Sequence, residues 1–200
     1  MKTISPRFDL YRIVLSAAIL CLVVSWPVLA GPFPLQFDFE GSAGKEWATF
    51  DVYSIGGNKV LGLFNDKNKK YQRETHLNLK NLPPDTPVTI SFDLYLVGTW
   101  DSSGELLDRW VMSVENGPTL LDLQKFPSAY ADKEEKSPIG NKGVVTVGTR
   151  DLAYWVVNES VVVPPEKIVG GAVSLRFQGF LTGRKTEFWG LDNVSVKVGK

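Results

Sequence analysis

The chain has 200 residues and balances 22 Lys+Arg against 22 Asp+Glu. Residues 1–30 hold three of those basic side chains, one of the acidic ones and the only cysteine, Cys21, so residues 31–200 carry 19 basic against 21 acidic groups, one histidine and no thiol. That composition argues against a nucleic-acid binder, which needs a basic excess on one face. It also excludes disulfides, thiolate metal sites and any centre built on two imidazoles.

The N-terminus reads as an export signal. Met1–Arg12 is short and net basic, Ile13–Val24 is apolar apart from Ser16 and Cys21, and Val28-Leu29-Ala30 places small residues at a cleavage site after Pro27. The apolar run is shorter than the roughly 20 residues a spanning helix needs, so residues 1–30 are expected to be a cleaved secretory signal. Leu20 before Cys21 is bulky for a lipidation site. Residues 31–200 are then expected to form a single secreted domain that does not span the membrane, and their length suffices for a core without staples.

Beyond residue 31 the dominant period is two. Leu35–Glu40, Trp47–Tyr53, Val60–Phe64 and Thr75–Leu79 are short strand candidates. A long strand follows, with Val88, Ile90, Phe92, Leu94 and Leu96 on one face and Thr89, Ser91, Asp93, Tyr95 and Val97 on the other. Trp110, Met112 and Val114 alternate with Arg109, Val111 and Ser113; Thr119–Leu123, Val144–Thr149 and Leu152–Val157 are further candidates. Val173–Phe180 and Val194–Val198 close the series. Leu82-Pro83-Pro84-Asp85 and Val163-Pro164-Pro165-Glu166 introduce two of these strands, since proline cannot donate to a ladder. Tyr130–Gly143 is charged and Gly/Pro-punctuated and reads as an exposed loop. No window sustains helical spacing over three turns, and turn residues separate the runs, so the expected fold is an all-β antiparallel sandwich of jelly-roll type.

Catalysis finds little support. A Ser-His-Asp triad would have to use His76, which lies on the polar side of the Leu77/Leu79 alternation and reads as a solvent-facing strand residue. Glycoside cleavage needs two carboxylates at a set separation, and the chain lacks the compact Glu-x-Asp-x-x-Glu strand pattern of laminarinase-like sandwiches. The expectation is a protein that is not an enzyme.

Carboxylate placement carries more. Asp192 shares parity with Val194, Val196 and Val198 and is expected to point inward at the start of the last strand. A buried carboxylate needs a partner or must neutralise. If the first and last strands are neighbours, Glu40 meets Asp192, and two hard oxygens plus turn carbonyls suit a structural Ca²⁺, which takes about six to eight oxygen ligands. The alternative is that Asp192 caps a turn. A second acidic set, Asp101, Glu105 and Asp108, occupies the loop between two strong strands; it either binds an ion or is simply a hairpin, and it lacks EF-hand spacing. Among the aromatics, Trp110 has core parity. Tyr95 faces outward with Asp93, and Trp100 is unconstrained; Asp93, Tyr95 and Trp100 are therefore candidate ligand contacts on a shallow polar-aromatic surface, with a plain solvated sheet face as the other reading.

Three segments together resemble a known group. They are Phe37-Asp38-Phe39-Glu40-Gly41 with Trp47, the Ser91–Leu96 block continuing to Trp100-Asp101 and Asp108-Arg109-Trp110, and Phe188-Trp189-Gly190-Leu191-Asp192-Asn193-Val194-Ser195-Val196. They resemble secreted, mostly bacterial jelly-roll domains with a Ser-Trp-Asp-Gly loop and a Trp-Gly-Leu-Asp-Asn-Val ending. The opening and ending are also similar to carbohydrate-binding modules and galactose-binding-like domains. The resemblance implies a structural calcium at positions matching Glu40 and Asp192, and a possible glycan partner. The loop departs from the pattern, with Thr99 for Ser and Ser102 for Gly. The resulting expectation is a secreted, non-catalytic binding module. An extracellular structural or envelope assembly protein is the nearest alternative, and a sandwich polysaccharide hydrolase or lyase the third.

Overall fold

A computed structural model describes residues 33–102, 107–126 and 142–199. The export signal expected at 1–30 lies outside the described residues, as do Glu105 and most of the 130–143 loop.

The described residues form eleven strands: β1 Leu35–Phe37, β2 Val52–Ile55, β3 Asn58–Phe64, β4 Glu74–Leu79, β5 Val88–Gly98, β6 Arg109–Val114, β7 Thr119–Leu123, β8 Gly143–Val147, β9 Arg150–Val163, β10 Val173–Phe180 and β11 Glu187–Val198. A short 3-10 turn, Pro165–Lys167, leads from β9 toward β10. The strands make two antiparallel sheets, a seven-stranded one in the order β2-β3-β11-β5-β9-β8 with β1 also on β11, and a four-stranded one in the order β4-β10-β6-β7. The fold is the expected β-sandwich. No helix among the described residues is long and apolar enough to cross a membrane.

The main core lies between the sheets and follows the alternations. Leu77 and Leu79 from β4, Leu175 and Phe177 from β10, and Trp110 and Met112 from β6 face Ile90, Phe92, Leu94 and Leu96 of β5. Aromatic rings fill its centre: Phe64 stacks on Trp189 at 4.2 Å between centroids, and Trp189 meets the Trp110 ring edge-on at 5.8 Å. The small sheet turns its polar residues outward. There Arg176 pairs with Glu74 (2.6 Å), Arg109 with Asp122 (2.8 Å), and His76 lies between Glu74 and Glu115.

The large sheet has a second apolar cluster on its other face. Ile55, Val60, Tyr95, Val97, Val145, Val147, Tyr154 and Phe188 belong to it. Strand twist accumulates across a sheet, and here the two edges come together: Tyr53 Oη on β2 donates to the Thr146 carbonyl on β8 at 2.7 Å. The curled edges cover Tyr95. It does face away from the main core, as its alternation requires, but it is only 4% exposed.

The first and last strands of the described residues are neighbours. β1 pairs with β11, placing Leu35 opposite Val196 and Phe37 opposite Val194. One parity assignment is corrected. Asp192 pairs with Asp93 and Ser195 with Ser91, so β11 carries one extra residue at this point. The bulge centres on Asn193, whose φ of 49° is left-handed, a conformation that asparagine tolerates better than most residues. Leu191 and Val194 consequently both face the main core, while Asp192 lies on the opposite face beside Asp93. The inward parity expected for Asp192 fails because the alternation slips by one residue at the bulge.

A candidate cation centre at the loop end

The three-residue series Glu187, Trp189 and Leu191 points into the sandwich, so the inward acid at the start of the last strand is Glu187. It is 3% exposed. Gly98, opposite it at the end of β5, has φ of +90°, and a side chain there would collide with the Thr186 carbonyl. That close approach lets Thr99 N donate to Thr186 O at 3.0 Å and Thr99 Oγ1 donate to Glu187 Oε1 at 3.0 Å.

The chain then runs through Trp100 into the loop before β6. Trp100 Nε1 donates to the Phe188 carbonyl at 3.0 Å, and its ring packs on Phe126 at 4.7 Å. Asp108, fully buried, closes the loop: its Oδ2 accepts Asp101 N at 2.6 Å, and its own N–H donates to Asp101 O at 3.1 Å. From the β10–β11 turn, Thr182 N reaches both Asp108 Oδ1 (2.9 Å) and Glu187 Oε2 (3.0 Å), and Gly183 N also donates to Glu187 Oε2. A methyl group at Gly183 would strike the Glu187 carboxylate.

These contacts bring one carboxylate oxygen from each of Asp101, Asp108 and Glu187 to within 4.8 Å of one another. Among the described residues no basic side chain contacts Asp108 or Glu187. The electrostatic consequence falls on Asp108. Burial, and then the neighbouring charges of Glu187 and Asp101, push its pKa up to about 7 against the pull of the Asp101 and Thr182 amides. Burial also raises that of Asp101. The centre can therefore hold a proton or a cation. Every donor is an oxygen; Asp108 Oδ1 and Oδ2 and Glu187 Oε1 each accept one hydrogen bond and retain a second lone pair, whereas Glu187 Oε2 already accepts two amides. This set could hold a hard divalent metal ion.

The sequence-derived candidates distribute as follows. Asp101 and Asp108 do come together, with Glu187 as the third member that sequence reasoning missed. The signal for Glu187 was its shared parity with Trp189 and Leu191. Glu40 and Asp192 belong to a different patch, on the outer face of the large sheet. Glu40 is exposed; its Oε1 accepts Lys59 N at 2.7 Å and its carbonyl accepts Lys59 Nζ at 2.9 Å. Asp192 is 2% exposed and accepts Asn193 N at 2.7 Å, the local turn bond that was its alternative reading. Burial pushes its pKa up to about 6, with the charges of Asp93, Glu40 and Asp38 adding to the rise and the Asn193 amide opposing it. Among the described residues, only Asp101, Asp108 and Glu187 place three candidate ligand atoms this close.

The candidate ligand contacts do not form an open surface. Trp100 is 0% exposed, so neither ring face can reach a sugar. The Tyr95 hydroxyl accepts Asn58 Nδ2 at 3.1 Å and its ring stacks on Tyr154 at 5.9 Å. Asp93 is half-buried and held by Asn158 and Asn193 side chains.

No protein-family model and no curated protein matches this chain. Among solved structures it is similar to the CBM27-1 module of Caldicellulosiruptor saccharolyticus in complex with mannohexaose, at 14% identity and a TM-score of 0.44 over 82% of this chain and 96% of that one. It is also similar to the K1 cleaved adhesin domain of Lys-gingipain from Porphyromonas gingivalis, at 14% identity and a TM-score of 0.42 over 82% and 97%. A third similar structure is the C-terminal CBM6 of the laminarinase LamC from Zobellia galactanivorans, at 10% identity and a TM-score of 0.37 over 82% and 98%.

Proposed function

We propose that this chain is a secreted, non-catalytic binding module with a glycan as its ligand class, and that a calcium ion held by Asp101, Asp108 and Glu187 locks its loop end. The observation that carries this reading is the meeting of three carboxylates, two of them buried, with no basic partner among the described residues. Calcium suits an all-oxygen donor set that includes no imidazole or thiolate. The ion would tie the β5–β6 loop to the β10–β11 turn. Loops positioned by a rigid sandwich are where such folds place their binding residues, and a clamp at this point supports a recognition surface without supplying a reactive group. The glycan class follows from the sequence resemblance and from the expected export.

The test is a glycan array probed with the secreted chain, once in millimolar calcium and once in excess chelator. The expected result is retention on a subset of glycans that weakens when calcium is removed. Release of soluble products from a polysaccharide panel would replace this reading with an enzymatic one. Self-association without any glycan retention would replace it with an assembly role.

A further inference from the structure

The same end of the sandwich carries a cavity of about 240 Å³ that the cation centre does not use. Three segments build it: the loop after β3, the β8–β9 turn and the β10–β11 turn. Lys70, Arg150 and Lys185 line it together with Asn68, Thr149, Tyr71 and Phe188. Asn68 Nδ2 donates to the Arg184 carbonyl at 2.9 Å, and Asn65 Nδ2 donates to the Gly183 carbonyl at 2.8 Å, so two of the three segments are tied together.

The charge here is one-sided in a chain that is neutral overall. Lys67, Lys69 and Arg184 flank the three lining cations on the same loops. Among the described residues, Lys70, Arg150 and Lys185 form no ion pair. The nearby acids are turned to other partners. Asp66 accepts Leu181 N and pairs with Lys67, each at 3.0 Å, and Asp151 Oδ1 accepts Thr146 Oγ1 at 2.7 Å. Three exposed cations thus line one depression without a carboxylate partner among the described residues, Lys70 holding its ammonium over the Tyr71 ring at 5.6 Å.

We propose that this cavity binds an anionic sugar unit, one carrying a sulfate or a carboxylate, within a polysaccharide. The cations take the oxyanion through charge-assisted hydrogen bonds. Asn68 and Thr149 offer hydrogen bonds to sugar hydroxyls, and the half-buried Tyr71, backed edge-on by the buried Phe188, supplies apolar wall for the ring's C–H face. A nucleic acid would call for a basic stripe extended over successive phosphates, whereas these cations gather around one depression. The proposal rests on the glycan-binding reading above and names the class of glycan.

The experiment measures binding of the secreted chain to immobilised dextran sulfate, polygalacturonate and neutral dextran, beside a neutral glycan array, anionic phospholipid vesicles and duplex DNA. The variant is Arg150→Glu with Lys185→Glu; both positions are exposed, so its melting temperature should match that of the parent. The expected result is binding to one or both anionic polymers and not to dextran, weakened by salt and by about 100-fold in the variant, at roughly tenfold or more per charge-assisted bond. Preference between the two polymers distinguishes sulfate from carboxylate. Tighter binding to vesicles or DNA overturns the proposal, as does unchanged polymer binding in the variant. Retention on neutral glycans that the variant keeps, with no response to the anionic polymers, overturns this proposal and leaves the binding-module reading standing. No retention on any glycan removes both.

Discussion

The cation centre predicts a calcium response that switches with pH. Asp108 has its pKa raised to about 7 in the folded chain, against about 3.9 for an unfolded aspartate. Between those values the folded state holds a proton that the unfolded state has released. Metal-free protein therefore loses stability as pH rises from about 4 to about 7, by roughly 4 kcal/mol for a three-unit shift. Calcium binding needs the same carboxylate ionised, so the proton and the ion compete. At pH 8 the site is free of that proton. An ion at 100 times its dissociation constant then adds about 2.7 kcal/mol, which for a domain of this size raises Tm by roughly 5–10 °C. At pH 5 calcium must first displace the proton across about two pKa units, roughly 3 kcal/mol, and the shift collapses. Thermal melts of the secreted chain with millimolar calcium or with chelator, at pH 8 and pH 5, measure both effects. Asp108→Asn should abolish the calcium shift and remove the Asp108 share of the chelator pH slope, most clearly between pH 6 and pH 7, where Asp192 no longer titrates. A calcium shift of equal size at both pH values, or none at pH 8, would refute the reasoning.

Three further outcomes follow from the same contacts. Gly98→Ala places a methyl against the Thr186 carbonyl at a left-handed φ; urea unfolding should show a loss of more than about 1 kcal/mol. Trp189→Ala empties the space between Phe64 and Trp110 and should cost about 3–5 kcal/mol by the same assay. Asp192→Asn concerns a carboxyl whose folded pKa is raised to about 6. In chelator the parent should lose more stability between about pH 4 and pH 6 than the variant, which keeps only the Asp108 contribution; the variant's advantage should thus be larger at pH 7.5 than at pH 4.5, by roughly 2–3 kcal/mol. Denaturant midpoints at the two pH values read this directly, and an equal difference at both would count against the burial of Asp192.

What the amino-acid order determined by itself was the all-β character and most of the main core. Period two is a local property, because successive side chains on a strand leave on opposite sides. Hence Val88–Val97, Trp110–Val114 and Val173–Phe180 were legible, as was the core position of Trp110. The neighbouring of the first and last strands entered only as a condition, and the β1–β11 pairing meets it. Tertiary structure decided the rest. Whether β11 keeps its phase past Leu191 depends on one left-handed residue, Asn193, inside a register set by β5. Whether the outward Tyr95 meets water depends on how far the sheet curls, which joins β2 to β8 across strands distant in sequence. The meeting of Asp101 and Asp108 with Glu187 likewise depends on the β5–β11 pairing, which brings the end of one strand beside the start of the other. Alternation tells which side of its own strand an acid leaves; only the pairing of strands determines which other acids stand there.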